Sequence, residues 1–178
     1  MAGSTGVSVV PVIRTVPYDH PDAAMLIELV QQEYVVRYGG RDDSPVDPAQ
    51  FAPPHGLFLV AYLDDAPVAC GGWRVASADE PNLLAGDIEI KRMFVAAQAR
   101  GRGLARAVLA ELERTAFEAG GKRIVLESGQ AQPEALALYA SSGYVDIEPF
   151  GYYRCAPESV HLGKALSEDM WRSTPSVT

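Results

Sequence analysis

The residues best suited to chemistry form a short run rich in glycine and arginine, Gln98-Ala99-Arg100-Gly101-Arg102-Gly103. A helical pattern begins directly after it. The first backbone N–H groups of a helix have no internal partner and lie at the positive end of the dipole, so they bind anions. The two glycines let the backbone approach an anion closely, while Arg100 and Arg102 add charge that pairs with phosphate oxygens. The run therefore predicts a pyrophosphate cradle.

Two familiar nucleotide-binding motifs do not fit this run. The dinucleotide fingerprint needs glycines spaced G-x-G-x-x-G, and Arg106 stands in the third glycine position. The G-K-[ST] ending of the P-loop is absent as well. The remaining alternative at this point is a plain strand–helix–strand unit with a glycine-rich turn.

A predicted strand and a predicted helix flank the cradle. The strand is residues 87–95, whose alternation is typical of a half-buried strand. Its two faces are expected to carry Ile88, Ile90 and Phe94 on one side and Glu89, Lys91, Met93 and Val95 on the other. Residues 104–119 have one apolar stripe at helical period, and Gly120-Gly121 predicts the end of that helix.

A second block follows the helix, with a predicted strand at residues 124–127 and a helix from Gln132 to Gly143-Tyr144. Together the two blocks resemble the GCN5-related N-acetyltransferase (GNAT) superfamily. Its R/Q-x-x-G-x-G/A signature fits residues 98–103, and its N-x-x-A-x-x-L-Y-x-x-x-G-F/Y helix fits residues 132–144. The resemblance covers residues 12–166 and implies an α/β fold with a mixed, mostly antiparallel central sheet of six to seven strands, flanked by about four helices.

The resemblance implies that the cradle binds acetyl-CoA as a cosubstrate, with no metal. The pantetheine arm would then run along the strand before the cradle, whose backbone groups can pair with its amides as an added strand would. Residue 132 departs from the family pattern, because a glutamine stands where an asparagine is frequent. The residues expected to contact coenzyme A are Met93, Phe94, Val95, Gln98, Ala99, Arg100, Gly101, Arg102, Gly103, Leu104, Ala105 and Gln132.

The implied reaction is direct transfer of an acetyl group to an amine in a ternary complex. The amine has to lose a proton, and the departing thiolate has to gain one. Glu89, on the strand that would carry the pantetheine, is the predicted base, directly or through water. Its alternative role is an ion pair with Lys91 or Arg92. Tyr139 stands at the family position whose hydroxyl approaches the sulphur, so it is the predicted acid, with simple packing as the alternative.

The acceptor is expected to be a small molecule with a primary amine, and its identity stays open. Aspartates 42, 43 and 47 suit a cationic amine such as a polyamine or an aminoglycoside, whereas Lys91 and Arg92 suit the carboxylate of an amino acid. A coenzyme A-binding sensor or structural domain without turnover is the alternative to an enzyme. The predicted acceptor contacts are Tyr34, Tyr38, Lys91 and Tyr152.

Length and composition favour one domain, and Cys70 and Cys155, without metal-type spacing or a secretory signal, favour a reduced cytoplasmic protein. The chain has 178 residues, 48% of them hydrophobic, and a net charge of −8, which argues against a nucleic-acid surface. No apolar run is long enough to span a membrane, and the start lacks an export signal. We expect flexible tails at residues 1–9 and 167–178 around a domain at 10–166. A homodimer is left open.

The rest of the chain supplies the frame. The patterns predict a first strand at residues 11–16, a helix that begins after Asp19 or His20, a strand hairpin at residues 56–75, and two final strands. The polar loop at residues 41–54 is expected to lie over the acceptor site, as in the resembling fold. Cys70 is predicted to be a small buried hydrophobe, and His161 a solvated residue.

Overall fold

The structure is a computed structural model that describes residues 10–171. Its helices are α1 (Pro21–Tyr38), α2 (Leu104–Glu118) and α3 (Pro133–Ser141). Its strands are β1 (Val12–Thr15), β2 (Gly56–Leu63), β3 (Ala66–Val75), β4 (Asp87–Val95), β5 (Arg123–Gly129), β6 (Val145–Asp146) and β7 (Ser159–Ala165). The described residues thus contain three α-helices where about four were predicted. The predicted tail at residues 1–9 and the last seven residues lie outside the described part.

The seven strands form one sheet in the order β1-β2-β3-β4-β5-β7-β6. Every neighbouring pair is antiparallel except β4 and β5, which are parallel. These two strands pair only at their beginnings, where Asp87–Glu89 meets residues 123–125. Beyond Glu89 they diverge, so the backbone edge of β4 that faces β5 has no strand partner. The mixed, mostly antiparallel sheet confirms the predicted fold class.

Helices cover both faces of the sheet. On one face, α2 buries Leu109 and Leu112 against strand residues such as Ile90 and Ile124, and α3 packs beside it. This matches the apolar stripe read from the sequence. Burial of each such side chain contributes about 1.5–3 kcal/mol to the stability of the fold. On the other face lies α1, which buries Leu26 in a second apolar cluster. The diverging halves of β4 and β5 therefore open between two helical layers.

Strand β4 contains a bulge that the sequence patterns did not predict. Gly71 of β3 lies opposite both Arg92 and Met93, and Arg92 has a φ of 62°. A bulge shifts the alternation of the strand by one residue. Phe94 therefore packs on the α1 side, whereas Met93 and Val95 pack on the α2 side. The predicted alternation is wrong beyond residue 91.

Several local predictions can be compared directly with the structure. His20 caps α1, because its Nδ1 accepts the N–H of Asp22 at 3.1 Å. Cys70 is fully buried, and burial raises the pKa of its thiol to about 12, which suits a structural role. His161 is buried against Phe150 at 5% exposure, so its predicted solvent exposure is wrong.

The chain after β7 continues into a short 3₁₀ turn. Residues 168–170 form a 3₁₀ turn where the sequence predicted part of a flexible tail, and Met170 packs against the core. Both cysteines are free thiols. Among residues 10–171 no helix combines the length and hydropathy required to cross a bilayer.

Candidate active site

A cavity of about 630 Å³ lies where β4 and β5 diverge. Its walls come from α1, the loop after α1, β4, the cradle, β5, α3 and the segment before β7. Gln98, Arg102 and Tyr152 do not line it, and Tyr152 is 60% exposed, whereas its neighbour Tyr153 does line it. The predicted residues that the fold brings to this cavity are Tyr34, Tyr38, Glu89, Lys91, Met93, Phe94, Val95, Ala99, Arg100, Gly101, Gly103, Leu104, Ala105, Gln132 and Tyr139.

The cradle presents backbone N–H groups to one end of the cavity. Gly101 and Gly103 have φ values of 77° and 75°, which favour glycine, and Gly103 is the N-cap of α2. No side chain caps this helix, and its first main-chain bond runs from Ala107 N–H to Gly103 O. A Cβ at either glycine would meet no heavy atom within 4 Å. The donors and the open space fit a pyrophosphate group.

Ion pairs tie the cradle to α1. Arg100 donates from Nε to Val95 O at 3.0 Å and from Nη2 to Glu33 at 2.7 Å. Glu33 also pairs with Arg37 at 2.7 Å, and Arg37 binds Glu134 of α3. A phosphate at the cradle would therefore compete with Glu33 for Arg100.

The unpaired edge of β4 leads from the cradle into the cavity. Residues 93–95 line this path, and within residues 10–171 no strand pairs with them on the side of β4 that faces β5, where Val95 O accepts from Arg100 Nε. On the opposite wall, Gln132 Nε2 donates to the Tyr38 hydroxyl at 3.2 Å. A Cβ at Gly129 would lie 1.8 Å from that hydroxyl, so the glycine makes room for Tyr38. The channel suits a narrow, extended chain with amide groups.

Tyr139 combines packing with cavity contact. Its ring packs edge-on against Tyr144, with centroids 5.4 Å apart, and it is 5% exposed. Its hydroxyl has no hydrogen-bond partner among residues 10–171. Burial, aided by the charge of Glu127, raises the pKa of the Tyr139 phenol above its ordinary value. The hydroxyl therefore keeps its proton at neutral pH and can donate it.

Glu89 lies on the α1 side of β4 in an ion pair. Arg74, directly opposite on β3, donates from Nε at 2.9 Å and approaches from Nη2 at 2.8 Å, both to Oε2. Lys91 Nζ lies 4.0 Å from Oε1. The pairing anticipated with Lys91 or Arg92 is thus made mainly with Arg74.

Glu127 is a cavity residue that the sequence reasoning missed. It lies on β5, and Ser159 Oγ donates to its Oε1 at 2.7 Å. Within the described residues it has no cation at ion-pair distance. Burial raises the pKa of Glu127 above its ordinary value, and the Ser159 hydrogen bond only partly offsets this. A lone carboxylate at the end of the apolar run at residues 124–126 was the available signal.

Asp42, in the loop after α1, pairs with the two cations Lys91 and Arg92 in the cavity wall. Arg92 donates to its Oδ2, and Lys91 Nζ lies 3.6 Å from the same oxygen. Its Oδ1 accepts from Ser44 Oγ at 2.6 Å and from the Tyr153 hydroxyl at 3.0 Å. Burial alone would raise the pKa of Asp42, but Lys91 and Arg92 outweigh it and lower the pKa. Asp42 is therefore ionised at neutral pH.

Comparison with known proteins identifies the class of this site. The profile described as "Acetyltransferase (GNAT) family" matches residues 23–144, which is more than half of the chain. The protein therefore belongs to the GNAT acetyltransferase family, whose members are acyl-CoA-dependent acetyltransferases. The matched region contains the cradle, the diverging strands and α3.

Individual relatives agree with this assignment. An IAA acetyltransferase of Azospirillum brasilense is 33% identical over 141 residues, which cover 79% of this chain and 88% of the relative. An uncharacterised N-acetyltransferase of Schizosaccharomyces pombe is 29% identical over 155 residues, which cover 85% and 91%. A Klebsiella pneumoniae structure, provisionally described as an acyl-CoA N-acyltransferase, has a TM-score of 0.71 at 26% identity and covers 89% of this chain and 99% of that chain.

Proposed function

We propose that this protein is an acetyl-CoA-dependent N-acetyltransferase that acts on the primary amine of a small molecule, by direct attack in a ternary complex. The observation that carries the proposal is the continuity of one cavity. It begins at a phosphate-type cradle, follows the free edge of β4, and ends beside the carboxylate of Glu127 and the phenol of Tyr139. Acetyl-CoA, when bound, supplies an acetyl group activated as a thioester.

The cradle and β4 would hold the cosubstrate. Backbone N–H groups around Gly101 and Gly103 face the pyrophosphate, with Arg100 adding charge after it leaves Glu33. The backbone at residues 93–95 pairs with the pantetheine amides, and the Gln132 side chain borders the same channel. This arrangement supports the cofactor contacts predicted from the sequence, apart from Gln98 and Arg102, which lie outside the cavity.

Removal of a proton from the acceptor is assigned to a carboxylate, and two candidates line the cavity. A general base works best when its pKa lies near the operating pH. Glu127 fits this requirement, because burial raises its pKa and no cation pairs with it in the described residues. Glu89, the base predicted from the sequence, is paired with Arg74, so it suits a positioning role better. We therefore favour Glu127 over Glu89.

Tyr139 is the proposed acid for the departing thiolate. Tyr139 lines the cavity, and its hydroxyl keeps its proton at neutral pH and makes no competing hydrogen bond within residues 10–171. The packing against Tyr144 fixes the ring, so the hydroxyl position is set before any ligand arrives. Rigid placement of a proton donor is what this step requires.

A paired measurement of binding and turnover tests the proposed function. Calorimetry should show coenzyme A binding, and a thiol-release assay with acetyl-CoA should show acceleration by primary amines. A coenzyme A sensor or structural domain would bind the ligand equally well but release no thiol with any amine. Binding without amine-dependent release would therefore contradict the proposed enzyme.

A further inference from the structure

Two cations in the cavity wall, Lys91 and Arg92, are both ion-paired with one carboxylate of the protein, Asp42. The side chain of Arg92 is 4% exposed and donates to Asp42, and the side chain of Lys91 is 10% exposed and lies beside the same carboxylate. Lys91 also donates to Ser44 Oγ at 2.7 Å. Asp42 belongs to the protein's own loop, so the chain itself supplies the carboxylate that an amino-acid substrate would otherwise bring.

Displacing Asp42 would be strongly unfavourable. Its second oxygen is also bound, by the Ser44 backbone and hydroxyl and by Tyr153. A carboxylate that entered in its place would leave Asp42 buried beside a like charge and without its cations. Two other arginines are also paired, Arg74 with Glu89 and Arg41 with Glu28.

A carboxylate without an ion pair, Glu127, lines the same cavity. Glu127 has no cation partner among the described residues, and its Oε2 makes no hydrogen bond there. An ammonium group can pair with this carboxylate, whereas an entering carboxylate meets cations that are already ion-paired with Asp42, and the like charge of Glu127. The tyrosines Tyr34 and Tyr153 form apolar walls beside it.

Resting on the proposed function, we propose that the acceptor is an amine that carries no carboxylate next to its reacting nitrogen. Simple monoamines and polyamines are therefore substrates, and the corresponding free α-amino acids are discriminated against. The basis is that Asp42 forms ion pairs with Lys91 and Arg92, whereas the Glu127 carboxylate can pair with the amine. This resolves the two opposite acceptor classes that the sequence left open.

Matched triplets of acceptors test the proposal on the native protein. Tyramine, tyrosinamide and tyrosine share one side chain, as do histamine, histidinamide and histidine. Within each set, the substituent on the carbon that carries the amine changes from hydrogen to a neutral amide to a carboxylate. Thiol release would give kcat/KM for each, with the acetylated product verified by mass spectrometry. We expect amine and amide to react comparably, and the acid to be slower by roughly tenfold or more.

Each other outcome has a definite meaning. Acids that react as well as the amines would overturn the inference and leave the N-acetyltransferase function intact. An amide as slow as the acid would show that size discriminates rather than charge, and would also overturn it. An absence of turnover with all six compounds would contradict the proposed function, and the inference would fall with it.

The variant Asp42→Asn tests the assigned cause. Asparagine keeps the shape but removes the charge, so Lys91 and Arg92 become available to an acceptor carboxylate. The acid-to-amine ratio of kcat/KM should rise by roughly tenfold. Asp47→Asn is the matched control, because Asp47 caps a 3₁₀ turn in the same loop, does not line the cavity, and asparagine retains the cap. Equal acid-to-amine ratios of kcat/KM in the two variants would overturn the role of Asp42. If Asp42→Asn fails to fold, the acceptor triplets on the native protein still test the proposal.

Discussion

Substituting the two candidate bases, Glu127 and Glu89, one at a time shows which of them removes the proton from the acceptor. Glutamine at position 127 keeps the shape of the side chain and can still accept the Ser159 hydroxyl that donates to Oε1 at 2.7 Å. It cannot accept a proton. If Glu127 is the base, Glu127→Gln should lower kcat/KM by about 10²–10⁴-fold. Glu89→Gln instead removes the anion that faces Arg74, so it should mainly change acceptor placement and KM.

The pH dependence gives the sharper readout of the same pair of variants. Glu127 must be ionised to act, and burial raises its pKa, so native kcat/KM should fall on the acid side at a pH above the ordinary glutamate value of 4.5. That acid limb should disappear in Glu127→Gln and persist in Glu89→Gln. The deficit of Glu127→Gln should also shrink towards high pH, because an amine with a pKa near 10.4 deprotonates in solution.

The assay is kcat/KM from about pH 4 to pH 10 for the native protein and both variants, with a saturating cosubstrate. Ser159→Ala adds an internal check. The Ser159 hydrogen bond lowers the pKa of Glu127, so its loss should move the acid limb to higher pH. The reasoning is refuted if Glu89→Gln loses the acid limb and Glu127→Gln retains it.

Three further predictions concern the cofactor end and the acid. Gly103→Val should abolish coenzyme A binding in calorimetry. Gly120→Val is the control, because Gly120 has a similar φ and equally open space, and it should bind coenzyme A normally. Equal binding by the two variants would reject the cradle. Tyr139→Phe should lower kcat with little change in coenzyme A affinity, whereas Tyr144→Phe should lower thermal stability and spare kcat; an unchanged kcat in Tyr139→Phe would leave a packing role. Glu33→Gln should tighten coenzyme A binding several-fold by releasing the cradle arginine, an amount typical of exposed ion pairs, and weaker binding would contradict the competition.

The strongly periodic segments of this fold were predictable because their patterns are local. The strand–cradle–helix unit at residues 87–118 appears as expected, since α2 has one apolar stripe and glycines bound it at both ends. The hairpin strands Gly56–Leu63 and Ala66–Val75 also match, with aspartates at the turn. The bulge at Arg92 did not show in the sequence, because its cause is the pairing with Gly71 on the neighbouring strand.

The site was predictable where the motif is contiguous and less so where it depends on distant contacts. The cradle glycines are recognisable in the sequence from their residue type and spacing, and the structure gives both of them a positive φ. The partner of Glu89 is residue 74, and the partner of Arg92 is residue 42, both far away in sequence. Glu127 has no such partner among residues 10–171, and that feature depends on the fold rather than on neighbouring residues in the sequence. The ion-pair partners of these residues could therefore be assigned only from the structure.

One measurement tests the central claim most directly: simultaneous quantification of released coenzyme A thiol and acetylated amine from acetyl-CoA and tyramine. The account predicts equal amounts of both products, formed by the native protein and lost in both Gly103→Val and Glu127→Gln. Thiol release that does not require the amine, or coenzyme A binding with no acetylated amine, would contradict it.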